Sequence, residues 1–439
     1  MSALSDLRRP AGAKKPSPPA QGSAAKKRHN RGLKGGMAEL GTRGEGNLAR
    51  VLSRPLADYY LILVSSALLV GLGVLMVLSA SSVFSSITNQ GDAYYYLVRQ
   101  LAFLCVGVPV AWWLSRRSAA AYAVLGWLGM IGSIGLLALV FTPLGEDAYG
   151  NRAWLRIEPL GTIQPSEFAK AALILWSASV LANRTKTLSD PRRLLFPFII
   201  GFGVVEGMVL LQKDLGTAIV IALIMFAMLW FVGAPLRVLS ALGCVGALVI
   251  GAMVITDPER MHRLFSFMNP SDAVSDQPMN AIYALASGGW WGVGLGGSRQ
   301  KWGGLYNGAQ TDYVLAVLGE EMGLFGVLFV LLLFFVLAFT GLRIAARSSS
   351  RLLSYAAAGM TAWIVIQALI NIFVVMRLLP VVGVPLPFLS QGGSALLANL
   401  IAVGILLGAA RQEPEAARLL AAGRKSRQPR MTSVVGTRR

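Results

Sequence analysis

Residues 59–80 read YYLILVSSALLVGLGVLMVLSA, a stretch without a single charged side chain. A helix needs about 20 predominantly apolar residues to cross the hydrocarbon core of a membrane, so this stretch predicts a transmembrane helix. Nine similar stretches follow, some with one to three charges. The ten predicted spans are residues 59–80, 94–114, 118–144, 162–183, 194–211, 215–232, 238–256, 312–342, 352–376 and 389–410. The sequence therefore predicts an all-α integral membrane protein with about ten transmembrane helices.

The composition supports a membrane protein and argues against a nucleic-acid binder. Of the 439 residues, 55% are hydrophobic and 14% are charged, whereas soluble domains carry about 25% charged residues. The formal net charge is +19, but residues 1–56 contribute +9 and residues 411–439 contribute +6. A nucleic-acid binder would carry its basic residues on a folded polar domain, so no nucleic-acid partner is expected.

The distribution of Lys and Arg predicts the orientation of the spans, because short cytoplasmic loops retain positive charge. With both termini placed inside, 30 basic residues lie on the cytoplasmic side and nine on the outer side, with Lys170 inside a span. This split predicts ten spans with both termini in the cytoplasm.

Three regions follow from these patterns. Residues 1–56 predict a disordered basic cytoplasmic arm, which acts either as a topology signal touching anionic lipid headgroups or as a docking segment for a cytoplasmic partner. Residues 57–410 form the membrane domain, and residues 411–439 form a basic cytoplasmic tail. Within the membrane domain, residues 257–311 predict one large external loop, which at this length is expected to be functional.

Ionisable residues inside spans are costly and mark candidate functional sites. Glu167 and Lys170 lie three residues apart and share a helix face, either as an ion pair that fixes packing or with Lys170 facing a cavity to receive a phosphate. Structural roles are favoured for Glu320 and Glu321. Asp312 lies where the long loop becomes a helix, either as an acid that complements the helix dipole or as a proton acceptor.

Five motifs in a fixed order carry a resemblance that covers residues 55–410. They are Gln164-Pro-Ser-Glu167, Gln212-Lys-Asp-Leu-Gly-Thr217, Ala286-Ser-Gly-Gly-Trp-Trp-Gly-Val-Gly-Leu-Gly296, Gln310-Thr-Asp312 followed by Gly319-Glu-Glu321, and Pro385-Leu-Pro-Phe-Leu-Ser390 with Gly392-Gly393-Ser394. Together they resemble the FtsW/RodA (SEDS) family of shape, elongation, division and sporulation proteins. The chain departs from the family pattern at Lys213, where proline is usual, and at Gln391, where tyrosine is usual.

The resemblance implies a peptidoglycan glycosyltransferase that polymerises lipid II at the outer face of the cytoplasmic membrane. The family's catalytic aspartate maps onto Asp312, which is expected to take the proton of the attacking hydroxyl. The diphosphate leaving group needs cations. The residues expected to bind substrate are Lys170, Glu167, Arg152, Gln212, Asp214, Arg299, Lys301, Gln310, Thr311 and Ser390. A divalent cation (Mg²⁺ or Mn²⁺), held partly by the diphosphate, is a further expectation, and no organic cofactor is expected.

Within the family, the long basic tails favour the division type, particularly from actinobacteria, over the elongation type. The implied partners are a class B penicillin-binding transpeptidase, other division proteins bound through the tails, and membrane lipids, at the division septum. Two other function classes stay open. A lipid II flippase would need a polar path lined by groups such as Glu167, Lys170 and Glu206, and a scaffold would only recruit division proteins.

Overall fold

The computed structural model describes residues 54–148, 151–157, 161–183, 191–268, 277–306 and 308–427. The predicted basic arm lies outside the described residues except for its last three positions, and so do residues 428–439 of the predicted tail. All contacts reported below lie within one compact unit, Pro55–Arg439.

Long helices occupy all ten predicted spans, which confirms the prediction of a multi-pass helical membrane protein. The helices in chain order are α1 Ala57–Thr88, α2 Tyr95–Leu114, α3 Ala119–Leu139, α4 Pro165–Asn183, α5 Pro191–Leu211, α6 Leu215–Val232, α7 Leu236–Ile255, α8 Pro258–Met268, α9 Gln277–Gly288, α10 Val314–Arg347, α11 Arg351–Val375, α12 Gly393–Arg411 and α13 Pro414–Arg427. Among the described residues, eight helices are long and apolar enough by themselves to cross a membrane. The other two long helices are α4, which carries Glu167 and Lys170, and α5, which contains the apolar stretch Phe196–Leu211.

A small sheet, which the sequence did not predict, separates α3 from α4. Strands β1 Gly145–Ala148, β2 Asn151–Ile157 and β3 Gly161–Ile163 form an antiparallel sheet in that order. Ala153 and Leu155 on β2 are buried, as the period of two in a half-buried strand requires. The predicted span over residues 118–144 therefore ends early, at Leu139, and the next helix begins after the sheet, at Pro165.

The long loop over residues 257–311 is structured in its described part. It contains α8, α9 and a short 3₁₀ turn at Gln300–Trp302. Helix α9 packs along α10, and its residues Ala281 and Ala284 are completely buried. Part of the predicted loop thus belongs to the packed helical core, because its alanines and glycines allow close contact between the two helices.

Small residues set the spacing of the membrane helices, as is common where helices meet in a bilayer. A Cβ atom at Gly126 on α3 would lie 2.9 Å from the backbone of Trp176 on α4. One at Gly404 on α12 would lie 2.7 Å from the carbonyl oxygen of Ala111 on α2. Larger side chains at these two positions would push the helix pairs apart.

Helix α7 is the exception to this close packing. Leu239 is its only residue described as buried, and Leu248 and Ile255 are more than 70% exposed. In a bilayer this helix therefore presents almost its whole surface to lipid or to another protein.

At one end of the bundle a buried carboxylate ties the first long helix to α10. Asp58 is 3% exposed, and its Oδ2 lies 3.3 Å from Arg343 Nε and 3.5 Å from Arg347 Nη1. Both arginines belong to the set predicted to be cytoplasmic, so this cluster marks the predicted cytoplasmic end.

Helix α10 is broken at Gly323, where the backbone takes φ +68° and ψ −167°. Residues 289–294 of the preceding loop replace the helical hydrogen bonds that the break removes. The carbonyls of Glu320 and Glu321 accept from Val293 N (2.9 Å) and Gly294 N (3.0 Å). The amides of residues 324 and 325 donate to the carbonyls of residues 289 and 290, at 2.9 and 3.3 Å. The glycine-rich motif is thus hydrogen-bonded to α10 on both sides of the break.

Gly292→Ala should destabilise the protein. Gly292 has φ +78°, and a Cβ there would lie 2.2 Å from the carbonyl oxygen of Glu321. Because backbone cannot give way cheaply, we expect a loss of about 1–3 kcal/mol in the free energy of unfolding. Thermal unfolding of the purified protein would measure this. Gly132→Ala is the control, since its Cβ meets no atom within 4 Å, and equal stability of the two variants would contradict the prediction.

The predicted orientation can be tested with single cysteines at the two ends of α10. Gly303 is exposed ahead of α10 and Ser349 is exposed behind it, so a spanning α10 places them on opposite sides. In a background without Cys105 and Cys244, which are both exposed, a membrane-impermeant maleimide should label Gly303→Cys in intact cells. It should label Ser349→Cys only after permeabilisation. The reverse pattern would refute the orientation.

Candidate active site

The turn Gln310-Thr311-Asp312 immediately precedes α10 and is held along its backbone. Its three successive carbonyl oxygens accept hydrogen bonds from Gln391 N (2.8 Å), Ser390 Oγ (2.5 Å) and Asn371 Nδ2 (2.8 Å). The Asp312 side chain is partly exposed, whereas Gln310 is 3% exposed. The structure therefore presents one carboxylate on a turn whose position is fixed by three donors.

These donors come from α11 and from residues 376–392, the segment between α11 and α12. This segment is not helical, because Pro385 and Pro387 cannot continue a regular helix, and it is buried at Leu386 and Leu389. The predicted span over residues 389–410 consequently begins as a helix only at Gly393. Gly383, with φ +73°, lies beside the site, since a Cβ there would be 4.0 Å from Asp312 Oδ2.

The Glu167–Lys170 pair lies in a closed network. Both residues are 1% exposed, and Lys170 Nζ donates to Glu167 Oε1 (2.8 Å) and to Gln367 Oε1 (2.8 Å). The ammonium also lies 5.1 Å from the centre of the Trp363 ring. Of the two roles that the sequence left open, this enclosure favours the ion pair that fixes packing over a lysine on a cavity wall.

Lys301, expected as a cation for the diphosphate, is also enclosed. It is 3% exposed, and its Nζ donates to Ser79 Oγ (3.0 Å), the Gly296 carbonyl (2.8 Å) and Glu321 Oε1 (3.0 Å). Its three donor protons are matched by these acceptors. Arg299 differs, because its backbone amide binds Glu320 Oε1 (2.9 Å) while its side chain is exposed.

The two glutamates have the structural role that the sequence favoured. Glu320 accepts from Ser298 Oγ at 2.5 Å, and Glu321 accepts from Ser79 Oγ at 2.6 and 2.8 Å. Both carboxylates are buried, so these bonds offset the cost of removing them from water. They join α1, the loop before Asp312 and α10. Ser79 and Ser298 carried no signal in the sequence, because they are small hydroxyls far from their partners.

Gln212, Asp214 and Arg152 form a second cluster at the turn between α5 and α6. Asp214 caps α6, its Oδ1 accepting from Thr217 N (3.1 Å), while its Oδ2 accepts from Gln164 Nε2 (3.0 Å). Arg152 N donates to the Gln212 carbonyl (3.2 Å), which attaches the small sheet to this turn. The turn predicted between two spans is present. Its described contacts hold neighbouring protein segments together.

Sequence reasoning missed Gln367 and Asn371, which hold the segment over residues 376–392. Both are polar amides four residues apart in an otherwise apolar span, and that spacing was the available signal. Among the described residues there is no group of three or more His, Cys, Asp or Glu side chains that could hold a metal ion. A divalent cation at this site would need substrate oxygens among its ligands.

The comparisons with known proteins agree with this architecture. Residues 59–415 match the FtsW/RodA/SpoVE family, described as "Cell cycle protein". The "Probable peptidoglycan glycosyltransferase FtsW" of Mycobacterium tuberculosis is 38% identical over 386 residues, which cover 87% of this chain and 73% of the relative. "Stage V sporulation protein E" of Bacillus subtilis is 36% identical over 358 residues, covering 80% of this chain and 96% of the relative.

Two solved structures share the fold. A chain of a peptidoglycan synthase complex has a TM-score of 0.62 and 26% identity, over 81% of this chain and 98% of that chain. The rod-shape-determining protein RodA of Thermus thermophilus has a TM-score of 0.57 and 26% identity, over 83% and 98%. Because the match extends through every long helix and through the turn that carries Asp312, the chain belongs to the FtsW/RodA/SpoVE family.

Proposed function

We propose that this protein is a peptidoglycan glycosyltransferase that polymerises lipid II at the outer face of the cytoplasmic membrane, with Asp312 as its general base. The observation that carries the proposal is the partly exposed Asp312 carboxylate on a turn held at three successive carbonyls. A base must stay within hydrogen-bond reach of the proton it takes. A fixed turn meets that requirement.

The reaction forms one glycosidic bond, breaks one bond to the diphosphate and transfers one proton. The acceptor hydroxyl oxygen attacks the anomeric carbon of the polyprenyl-diphosphate donor and loses its proton to the Asp312 carboxylate. The bond between the anomeric carbon and the diphosphate oxygen breaks, and the diphosphate leaves with the electron pair. General-base assistance of this kind contributes about 10²–10⁴-fold.

The leaving diphosphate needs positive charge. The four side chains expected to supply it differ in how closely other protein groups hold them. Lys170 and Lys301 are enclosed in ion pairs, and Arg152 Nη2 donates to the Thr142 carbonyl (2.8 Å). Arg299 has an exposed side chain in the loop that leads to Asp312. It is the cation proposed to meet the diphosphate, with any divalent cation held mainly by phosphate oxygens.

The division role and the partner are part of the proposal. Relatives 34–38% identical in several bacteria are named FtsW, which supports septal synthesis over the elongation role. A structural neighbour comes from a complex described as coordinating polymerisation and crosslinking, which supports a class B transpeptidase as the partner. Other division proteins bound through the basic tails complete the proposed septal assembly.

Asp312→Asn should abolish most polymerisation. The change keeps the size of the side chain but removes its proton affinity, so glycan yield should fall by about 10²–10⁴-fold. The measurement is strand length and yield from purified lipid II, with the protein in complex with its transpeptidase. Asp147→Asn is the control, since Asp147 is exposed on β1. Near-normal polymerisation by Asp312→Asn would end the proposal, and a flippase or scaffold would then be favoured.

The enclosed pair gives a second prediction. Lys170→Met or Glu167→Gln alone leaves one uncompensated buried charge, at a cost of about 3–5 kcal/mol in unfolding free energy. The double variant leaves none, so its thermal unfolding midpoint should exceed that of either single variant. A Lys170→Met protein as stable as wild type would contradict the pairing. A stable but inactive double variant would instead support a phosphate-binding role for Lys170.

A further inference from the structure

The side chain of Asn371 on α11 joins two segments that are remote in sequence. It is 1% exposed, and its Nδ2 donates to the Asp312 carbonyl (2.8 Å) and to the Val384 carbonyl (2.9 Å). One amide group therefore sets the distance between the Asp312 turn and the segment over residues 376–392, in which Gly383 flanks the carboxylate.

Gln367 lies one turn earlier on the same face of α11. It is completely buried, and its Oε1 accepts from Lys170 Nζ and from Trp363 Nε1, both at 2.8 Å. Its Nε2 donates to the Pro385 carbonyl at 3.1 Å. Gln367 thus attaches the same segment to the Glu167–Lys170 pair. The two amides connect that pair to Asp312 through the backbone of residues 384 and 385.

Packing alone does not account for these two amides. A buried amide in a membrane helix is costly unless it is hydrogen-bonded, and apolar side chains would fill the same space without that cost. Helix α11 is also a suitable fixed support, since most of its apolar stretch is buried inside the protein. The side-chain N–H groups of both amides donate to backbone carbonyls of the segments around Asp312.

We propose that Asn371 and Gln367 are positioning residues for glycosyl transfer, and that Asn371 fixes the Asp312 turn through its carbonyl. The inference rests on the proposed role of Asp312. Neither residue is placed to bind substrate, because both are enclosed. Their loss should therefore lower kcat and leave KM for lipid II almost unchanged.

The test compares Asn371→Ala with Asn399→Ala. Asn399 is equally buried, at 1% exposed, and lies on α12 away from the hydrogen bonds of the Asp312 turn. A displacement of about 1 Å at a catalytic group can cost about 10²-fold. We expect Asn371→Ala to lower kcat by about 10–100-fold, with KM within about threefold of wild type. We expect Asn399→Ala to keep a near-normal kcat when activity is divided by the concentration of folded protein.

Gln367→Met tests the same connection at its second amide. It keeps the length of the side chain but removes both the donor to the Pro385 carbonyl and the acceptor of Lys170 and Trp363. We therefore expect kcat to fall again, by less than in Asn371→Ala. If Asn371→Ala does not fold, Asn371→Leu replaces it, since a leucine fills a similar space and has no donor for either carbonyl. The same split between kcat and KM applies to that variant.

The outcomes separate this inference from the proposed function. An active Asp312→Asn protein refutes the proposed function, and the inference falls with it. An inactive Asp312→Asn protein together with a folded Asn371→Ala (or Asn371→Leu) protein of wild-type kcat refutes the inference alone. A raised KM at unchanged kcat, or an equal loss of kcat in Asn399→Ala, also overturns it.

Discussion

The hydrocarbon core offers no water to the backbone, so a broken transmembrane helix must find new partners for the groups it releases. In this protein α10 is broken at Gly323, and the carbonyls and amides on either side of the break bind residues 289–294. An unpaired buried backbone group costs about 1–3 kcal/mol. Separating the loop from the helix would therefore cost more free energy than most single interactions contribute. The loop and the helix behave as one element.

The carboxylates beside the break extend this attachment toward the site. Glu320 and Glu321 bind the backbone and side chains of residues 298–301, and Glu321 also binds Ser79 on α1. Between these glutamates and Asp312 lie only the first two turns of α10, about 12 Å of helix. The Asp312 turn is consequently fixed at both ends, by the break on one side and by its three carbonyl contacts on the other.

The sequence predicted much of this fold because span length and the absence of charge are local properties. It predicted the positions of the ten long helices and of the Asp312 turn. It did not predict the sheet over residues 145–163, whose strands are too short for their alternation to stand out. Cation chemistry made Lys170 and Lys301 candidates for the diphosphate, and only their burial shows that each has a protein partner. The roles of Gln367 and Asn371 depend on the path of residues 376–392, which no local pattern specifies.

The contacts around Asp312 also explain how the proposed base can be held firmly while its carboxylate remains partly exposed. All three donors bind backbone carbonyls of residues 310–312, and so they fix the turn without using the carboxylate as their acceptor. Anchoring through the backbone fixes the position of the turn that carries this carboxylate, and this explains why an amide as costly to bury as Asn371 lies beside the turn.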